Sequence, residues 1–81
     1  MDEPTQQEIN QAIAKRLREG RENKGMSQMA LAEAMDISFQ QLQKYERAEN
    51  RISAPRLFVL ARTLDLPVNW FFELCLEQKR D

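Results

Sequence analysis

Hydrophobic residues recur at helical spacing through most of this chain. Near its start, four of them lie one to four positions apart on what would be a single helix face: Ile9, Ala12, Ile13 and Leu17. Thr5 with Glu8 three positions later is typical of a capping box, in which side chain and backbone bond reciprocally at a helix start. The pattern predicts a first helix over about residues 6–23, ended by Gly25.

Shorter helices are predicted downstream, each preceded by a capping residue. Ser27 predicts the start of a second helix that closes near Asp36, since Asp is one of the few non-glycine residues that tolerate a left-handed turn. Ser38 with Gln41 predicts another capping box, at a third helix, and Ser53 predicts the cap of a fourth. The residues expected to face inward are Leu31, Ala32, Met35, Leu42, Tyr45, Leu57, Leu60, Ala61 and Leu64.

A last helix is predicted to start at Pro67 and to carry an aromatic run, Trp70 to Phe72. Three adjacent aromatic residues cannot all face inward, so one of them is expected to serve a subunit interface. No segment alternates like a strand. We therefore predict an all-α fold, a compact bundle of about five helices.

The length of 81 residues predicts one domain. A chain of this size buries about 60–65% of the surface that its unfolded form exposes, which leaves no room for a separate sensing or catalytic domain. We expect a core over about residues 13–72, a flexible start at 1–4 and a helical extension at 73–81.

Composition argues against an enzyme. The chain has no His, the usual general acid and base at neutral pH, and only two Gly, too few for a phosphate cradle. One Cys, Cys75, without any His leaves too few ligands for structural zinc, and no metal or cofactor is expected. A single Cys also allows no disulfide within the chain, which is typical of a cytoplasmic protein. No apolar run approaches the ~20 residues that cross a bilayer, so we expect a protein that does not enter membranes.

Charge is divided unevenly along the chain, although the total is only −1. Residues 1–14 carry three acids and no base, residues 15–62 carry ten bases and six acids, and residues 63–81 are again acidic. Salt screens charges beyond roughly 8–10 Å, so the basic middle can meet a polyanion without the whole-chain charge deciding the outcome.

The third predicted helix carries a face suited to DNA. Its outward positions combine amides and cations without a carboxylate: Gln40, Gln43, Lys44 and Arg47. A Gln amide pairs with adenine and Lys donates to guanine in the major groove, while Phe39 suits a thymine methyl. The competing interpretation is a solvated polar face, with Phe39 folded back onto the domain.

Several stretches together resemble the helix-turn-helix domains of the phage repressor and Cro type, the XRE family. They are KGMSQ (24–28), LAEAM (31–35), ISFQQLQKYER (37–47), LARTL (60–64) and PVNWFF (67–72). The resemblance extends over about residues 13–72 and implies a helix-turn-helix at 28–47.

The resemblance also implies roles for individual residues. Residues at the positions that usually touch base edges, or lie at the groove wall, are Phe39, Gln40, Gln43 and Lys44. Those expected at the DNA backbone are Gln28, Ser38, Arg47, Asn50 and Arg51. Arg21 and Glu46 match a pair that ties the first helix to the recognition helix. Candidates for a dimer interface are Val68, Trp70, Phe72, Leu74 and Leu76.

Departures from the family pattern affect three turns. Asp36, Ala48 and Asp65 stand where Gly is common in similar domains, and Ala48 leaves the geometry of the following loop open. Glu49 places a carboxylate near the expected phosphate contacts and should lower affinity.

The function expected from these features is sequence-specific binding of double-stranded DNA by a homodimeric transcriptional regulator, most simply a repressor on an inverted-repeat operator. Two recognition helices related by a two-fold axis would read half-sites ~34 Å apart. One alternative is the antitoxin of a toxin–antitoxin pair, which binds DNA and a toxin protein. Another is a protein-interaction module that no longer binds DNA, and fold resemblance alone does not separate the three.

Overall fold

The computed structural model describes residues 3–77 and contains helices without strands in that range. The α-helices are α1 (Gln6–Asn23), α2 (Gln28–Met35), α3 (Phe39–Glu46), α4 (Ala54–Leu64) and α5 (Glu73–Glu77), with a 3-10 helix over Val68–Phe72. The all-α prediction is confirmed. The structure contains the predicted last helix after Pro67, but in two forms: the aromatic run lies in the tighter 3-10 helix, and α-geometry starts only at Glu73.

Helix starts follow the predicted caps. Thr5 and Glu8 form the full capping box: Glu8 N donates to Thr5 Oγ1 over 3.0 Å, and Thr5 N donates to Glu8 Oε1 over 2.9 Å. Ser27 and Ser53 accept from backbone N–H groups three residues on. Ser38 accepts from Gln41 N over 2.9 Å, but the structure gives no return bond from the Gln41 side chain, so this is a simple serine cap.

Three helices end at or next to a residue with a left-handed backbone conformation. Gly25 follows α1 with φ of 75°, and Asp36 and Asp65 close α2 and α4 with φ of 59° at each. The prediction for Asp36 is confirmed. Ala48, in the loop after α3, adopts the same φ of 59°, so alanine takes over the left-handed geometry despite the clash of its Cβ.

The core gathers one face of each of the first four helices and the 3-10 helix. Its largest fully buried side chains are Leu17, Leu31, Leu42, Leu60 and Phe71. Burying a side chain of this size contributes about 1.5–3 kcal/mol, so these positions help to hold α3 against α1 and α2. The predicted inward residues are all buried. Residues 78–81 of the predicted extension lie outside the described residues, as do Met1 and Asp2.

Candidate nucleic-acid interface

The α2–α3 pair forms a helix-turn-helix. The left-handed Asp36 reverses the chain after α2, and Ser38 caps α3 two residues later. Ile37 N donates to Ala32 O over 3.0 Å, and the Ile37 side chain packs against the core. The turn is therefore fixed by both its backbone and its side chain.

The outer face of α3 presents the residues predicted to read bases. Gln40 and Lys44 are exposed, Gln43 is half-buried and Phe39 is 37% exposed. Leu42, Tyr45 and Glu46 occupy the opposite, buried side. Phe39 is not part of the hydrophobic core, so the chain presents an aromatic ring at the start of a polar helix face.

Glu46 is the one charged residue that is buried among residues 3–75, whose side chains the structure describes. Its carboxylate accepts from Arg21 Nε over 2.6 Å and from Arg21 Nη2 over 3.2 Å. Gln28 Nε2 donates to Glu46 Oε1 over 2.9 Å. One carboxylate at the end of α3 therefore receives donors from both α1 and α2.

Arg21 and Gln28 are consequently tied into the scaffold. Arg21 Nη1 also donates to Met26 O over 2.9 Å, so a single guanidinium links α1, the α1–α2 turn and α3. Gln28 supports the end of α3 with its amide nitrogen. Its predicted contact with a phosphate remains a prediction.

The loop after α3 carries the other predicted backbone-binding residues. Arg47, Asn50 and Arg51 are all exposed. The N–H groups of Glu49 and Asn50 both donate to Lys44 O, over 2.9 and 3.3 Å, which folds the loop back against the end of α3. Three predicted DNA-binding cations, those of Lys44, Arg47 and Arg51, thus lie on one continuous segment with a single exposed carboxylate, Glu49.

Two contacts around this loop carry no signal in the sequence. Asn10 Nδ2 on α1 donates to Ala48 O over 3.2 Å, and Arg56 Nη1 on α4 donates to the Tyr45 hydroxyl over 2.9 Å. The residues of these pairs are 38 and 11 positions apart, so no local spacing rule would join them.

The predicted dimer-interface residues differ in exposure. Val68 is 38% exposed, and Phe72 and Leu74 are half-buried. Trp70 already has partners within the chain: its ring meets Phe71 edge-on at 5.1 Å, and the Arg16 guanidinium carbon lies 4.5 Å from its centroid. The Leu76 side chain lies outside the described side chains.

Further apolar surface lies on α4, where the sequence interpretation places none. Phe58 is 54% exposed and Val59 is 44% exposed. Arg62 lies over the Phe58 ring at 5.7 Å. Helical spacing could have found this face, because Phe58 and Val59 fall between the buried positions Leu57 and Leu60.

None of the described helices is long and apolar enough to span a bilayer.

Curated relatives of this chain are named as transcriptional regulators. A Rickettsia conorii protein named as an uncharacterized HTH-type transcriptional regulator is 48% identical over 67 residues, covering 83% of this chain and 54% of its own length. A Rhodospirillum rubrum protein, named as an uncharacterized transcriptional regulator in the ATPase CF(0) region, is 41% identical over 71 residues. The match covers 88% of this chain and 66% of that protein. The chain spans about half to two thirds of the length of these relatives.

Solved structures of bacterial regulators share the fold. The restriction-modification controller protein C.AhdI from Aeromonas hydrophila has a TM-score of 0.73 at 30% identity, covering 78% of this chain and 96% of its own. The clp gene regulator ClgR from Corynebacterium glutamicum has a TM-score of 0.79 at 25% identity, covering 89% and 94%. The family model described as helix-turn-helix, HTH_3, matches residues 17–71. These matches agree with the buried core and the turn geometry described above. The chain belongs to the helix-turn-helix family.

Proposed function

We propose that this chain binds a specific double-stranded DNA sequence and represses transcription as a homodimer on an inverted-repeat operator. The observation that carries the proposal is the outer face of α3. Gln40 and Lys44 are exposed there, while Glu46 at its end is held by Arg21 and Gln28. A helix fixed in this way can enter the major groove with its amide and ammonium groups toward the base edges.

The neighbouring loop supplies the sequence-independent part of the binding. Arg47, Asn50 and Arg51 are exposed next to α3 and suit phosphate oxygens. Glu49 opposes them, which reduces the net positive charge of the loop without cancelling it. The acidic whole-chain charge therefore does not argue against DNA, because three cations, Lys44, Arg47 and Arg51, lie on α3 or in the loop that follows it.

The short length of DNA that one recognition helix can contact favours a homodimer. One short recognition helix contacts only a few base pairs, and a two-fold axis doubles the reading length. Apolar side chains that a second copy would cover lie on α4 and the 3-10 helix, at Phe58, Val59 and Val68, each more than a third exposed. A dimer bound at a promoter excludes polymerase by steric overlap, so repression needs no further activity. Such a protein would act in the cytoplasm, where the DNA is.

The test is selection of DNA by the purified chain. Fragmented DNA from the source organism is incubated with the protein at near-physiological salt, and the retained fragments are sequenced. We expect a few fragments that share an inverted repeat. Uniform weak retention, or none, would contradict sequence-specific binding and favour a protein partner such as a toxin.

A matched pair of variants makes this selection sharper. Lys44→Ala removes a cation from the proposed reading face, whereas Lys15→Ala removes another exposed cation, from α1. We expect the Lys44 variant to lose or change the selected sequence while the Lys15 variant keeps it. Equal behaviour of the two would place the reading face elsewhere.

A further inference from the structure

The loop after α3 contains a conformation that its own sequence does not favour. Ala48 has φ of 59°, in the left-handed region that an alanine Cβ disfavours. The exposed Arg47, Asn50 and Arg51 lie on either side of it. The direction in which these side chains leave the backbone depends on Ala48 keeping that geometry.

Local hydrogen bonds hold only part of the loop. The N–H groups of Arg47 and Ala48 donate to Gln43 O and Tyr45 O, over 3.0 and 3.2 Å. All such bonds of residues 47–50 return to α3, so they fix the loop relative to the helix that precedes it. They do not fix it relative to α1.

Asn10 supplies a connection to α1. Its Nδ2 donates to Ala48 O over 3.2 Å, in a partly buried position, at the residue with the strained backbone. Asn10 and Arg51 also line the same surface groove, of about 150 Å³, between α1 and the loop. The carbonyl that receives this bond belongs to the peptide unit between Ala48 and Glu49, and its orientation sets the path of the chain toward Asn50.

We infer that Asn10 is a positioning residue for DNA binding: its amide holds the Ala48 carbonyl and thereby aims Arg47, Asn50 and Arg51 at the phosphate backbone. This inference rests on the proposed function, because it assumes that those three residues meet DNA. Asn10 itself contacts no DNA in this arrangement. It acts through the loop.

The experiment measures binding as a function of salt. Phosphate contacts are independent of sequence, so a mixed-sequence duplex of about 20 base pairs, two helical turns, is a sufficient probe. Asn10→Ala is compared with the wild-type chain and with Gln11→Ala, which shortens an exposed side chain on the same turn of α1. All measurements are made well below the melting temperature of each variant, so that every chain is folded.

We expect Asn10→Ala to weaken binding about three- to tenfold, the range that loss of one hydrogen bond permits. The slope of log K against log salt should fall in magnitude by about 0.9 for each phosphate that the loop no longer neutralises. Gln11→Ala should match the wild type in both. A residue that contributed only to global stability would leave the affinity and the slope of the folded chain unchanged.

A second measurement needs no DNA. Amide hydrogen exchange at Glu49 and Asn50 should accelerate in Asn10→Ala and in Asn10→Asp, which keeps the shape but loses the donor, and stay unchanged in Gln11→Ala. Wild-type affinity and slope in Asn10→Ala would overturn the inference while leaving the proposed function intact. Failure of the wild-type chain to bind any duplex would overturn the proposed function and this inference with it.

Discussion

Arg21 Nε donates to Glu46 Oε2 over 2.6 Å, which joins the last turn of α1 to the last residue of α3. Both side chains are shielded from water: 11% of the Arg21 side chain and 3% of the Glu46 side chain remain exposed. A pair in this setting costs desolvation, and the third donor, Gln28, helps to offset that cost. The position of α3 therefore depends on a charge that must stay paired.

Removal of one partner is expected to be severe. Arg21→Met leaves the Glu46 carboxylate buried without its counter-ion, and breaking a buried pair from one side costs about 3–5 kcal/mol. Urea denaturation followed by circular dichroism measures this loss. Arg18→Met, at an exposed position on α1, serves as the matched control and should change stability little.

Removal of both partners should cost less. In Arg21→Met with Glu46→Leu no charge is left buried, so the double variant should be more stable than Arg21→Met alone. A double variant that is less stable than the single one would show that the pair contributes mainly through its geometry rather than by satisfying a buried charge.

Ala48→Gly is expected to stabilise the chain. Glycine adopts a φ of 59° without the Cβ clash, and the left-handed conformation costs other residues about 1–2 kcal/mol. After the loss from a more flexible unfolded chain, a gain of about 0.5–1 kcal/mol remains, or roughly 2–8 °C in melting temperature for a domain of this size. Asp36→Gly and Asp65→Gly should gain less, because Asp tolerates this region better. A destabilised Ala48→Gly would contradict the assignment of strain to this residue.

Base-reading and backbone-binding residues should respond differently to truncation. Gln40→Ala is expected to relax preference at particular base pairs, with a change of about 1–3 kcal/mol in discrimination. Arg51→Ala should weaken binding evenly across sequences and reduce the magnitude of the salt slope by about 0.9, the value of one phosphate. Binding of a panel of single-base operator variants, each at several salt concentrations, measures both effects. The same pattern for both variants would remove the distinction between the two groups.

If the proposed dimer forms, the apolar face that is exposed in the single chain should be covered by a second copy in solution. Light scattering should give twice the mass of one chain, and Phe58→Glu should give the mass of a single chain, because a carboxylate would then be buried in the interface. Glu33→Gln, an exposed change on α2, is the control and should leave the mass unchanged. Truncation after Phe72 separately tests the contribution of Leu74 and Leu76. A monomer in the wild-type chain, with and without DNA, would exclude the dimer.

Cys75 should react slowly with thiol reagents. Burial raises the pKa of its thiol, so the reactive thiolate is scarce in the folded chain at neutral pH. Because the folded pKa is the higher one, the contribution of this group to stability is full below the unfolded pKa and is lost as pH rises through the folded pKa. Iodoacetamide labelling should accelerate on unfolding in urea, and equal rates in the folded and unfolded chain would contradict the burial.

Local chemistry makes most of the fold predictable. Apolar residues at helical spacing within each helix, among them the buried Leu17, Leu31 and Leu42, indicate which side faces inward, and the serine and threonine caps indicate where helices start. The 3-10 geometry of residues 68–72 escapes prediction, because helix periodicity does not distinguish two helical forms over five residues. Phe71, within this stretch, is fully buried in the core.

The site divides in the same way. Side chains on the outer face of α3 follow from helical spacing, and the Arg21 and Glu46 pair follows only from family resemblance. The bonds of Asn10 to Ala48 and of Arg56 to Tyr45 depend on how distant helices meet in three dimensions. The exposed position of Phe58, by contrast, follows from helical spacing, because Phe58 falls between the buried positions Leu57 and Leu60.

Glu46 receives donors from α1 and α2, so α3 is held in place by other parts of the same chain. DNA binding would then not require α3 to fold, so association would lose little conformational entropy. The heat-capacity change on binding should then reflect only the surface removed from water, without the larger signature of coupled folding. The pairing of one buried carboxylate, Glu46, would thus be detectable by calorimetry, as a heat-capacity change on DNA binding that contains no contribution from folding.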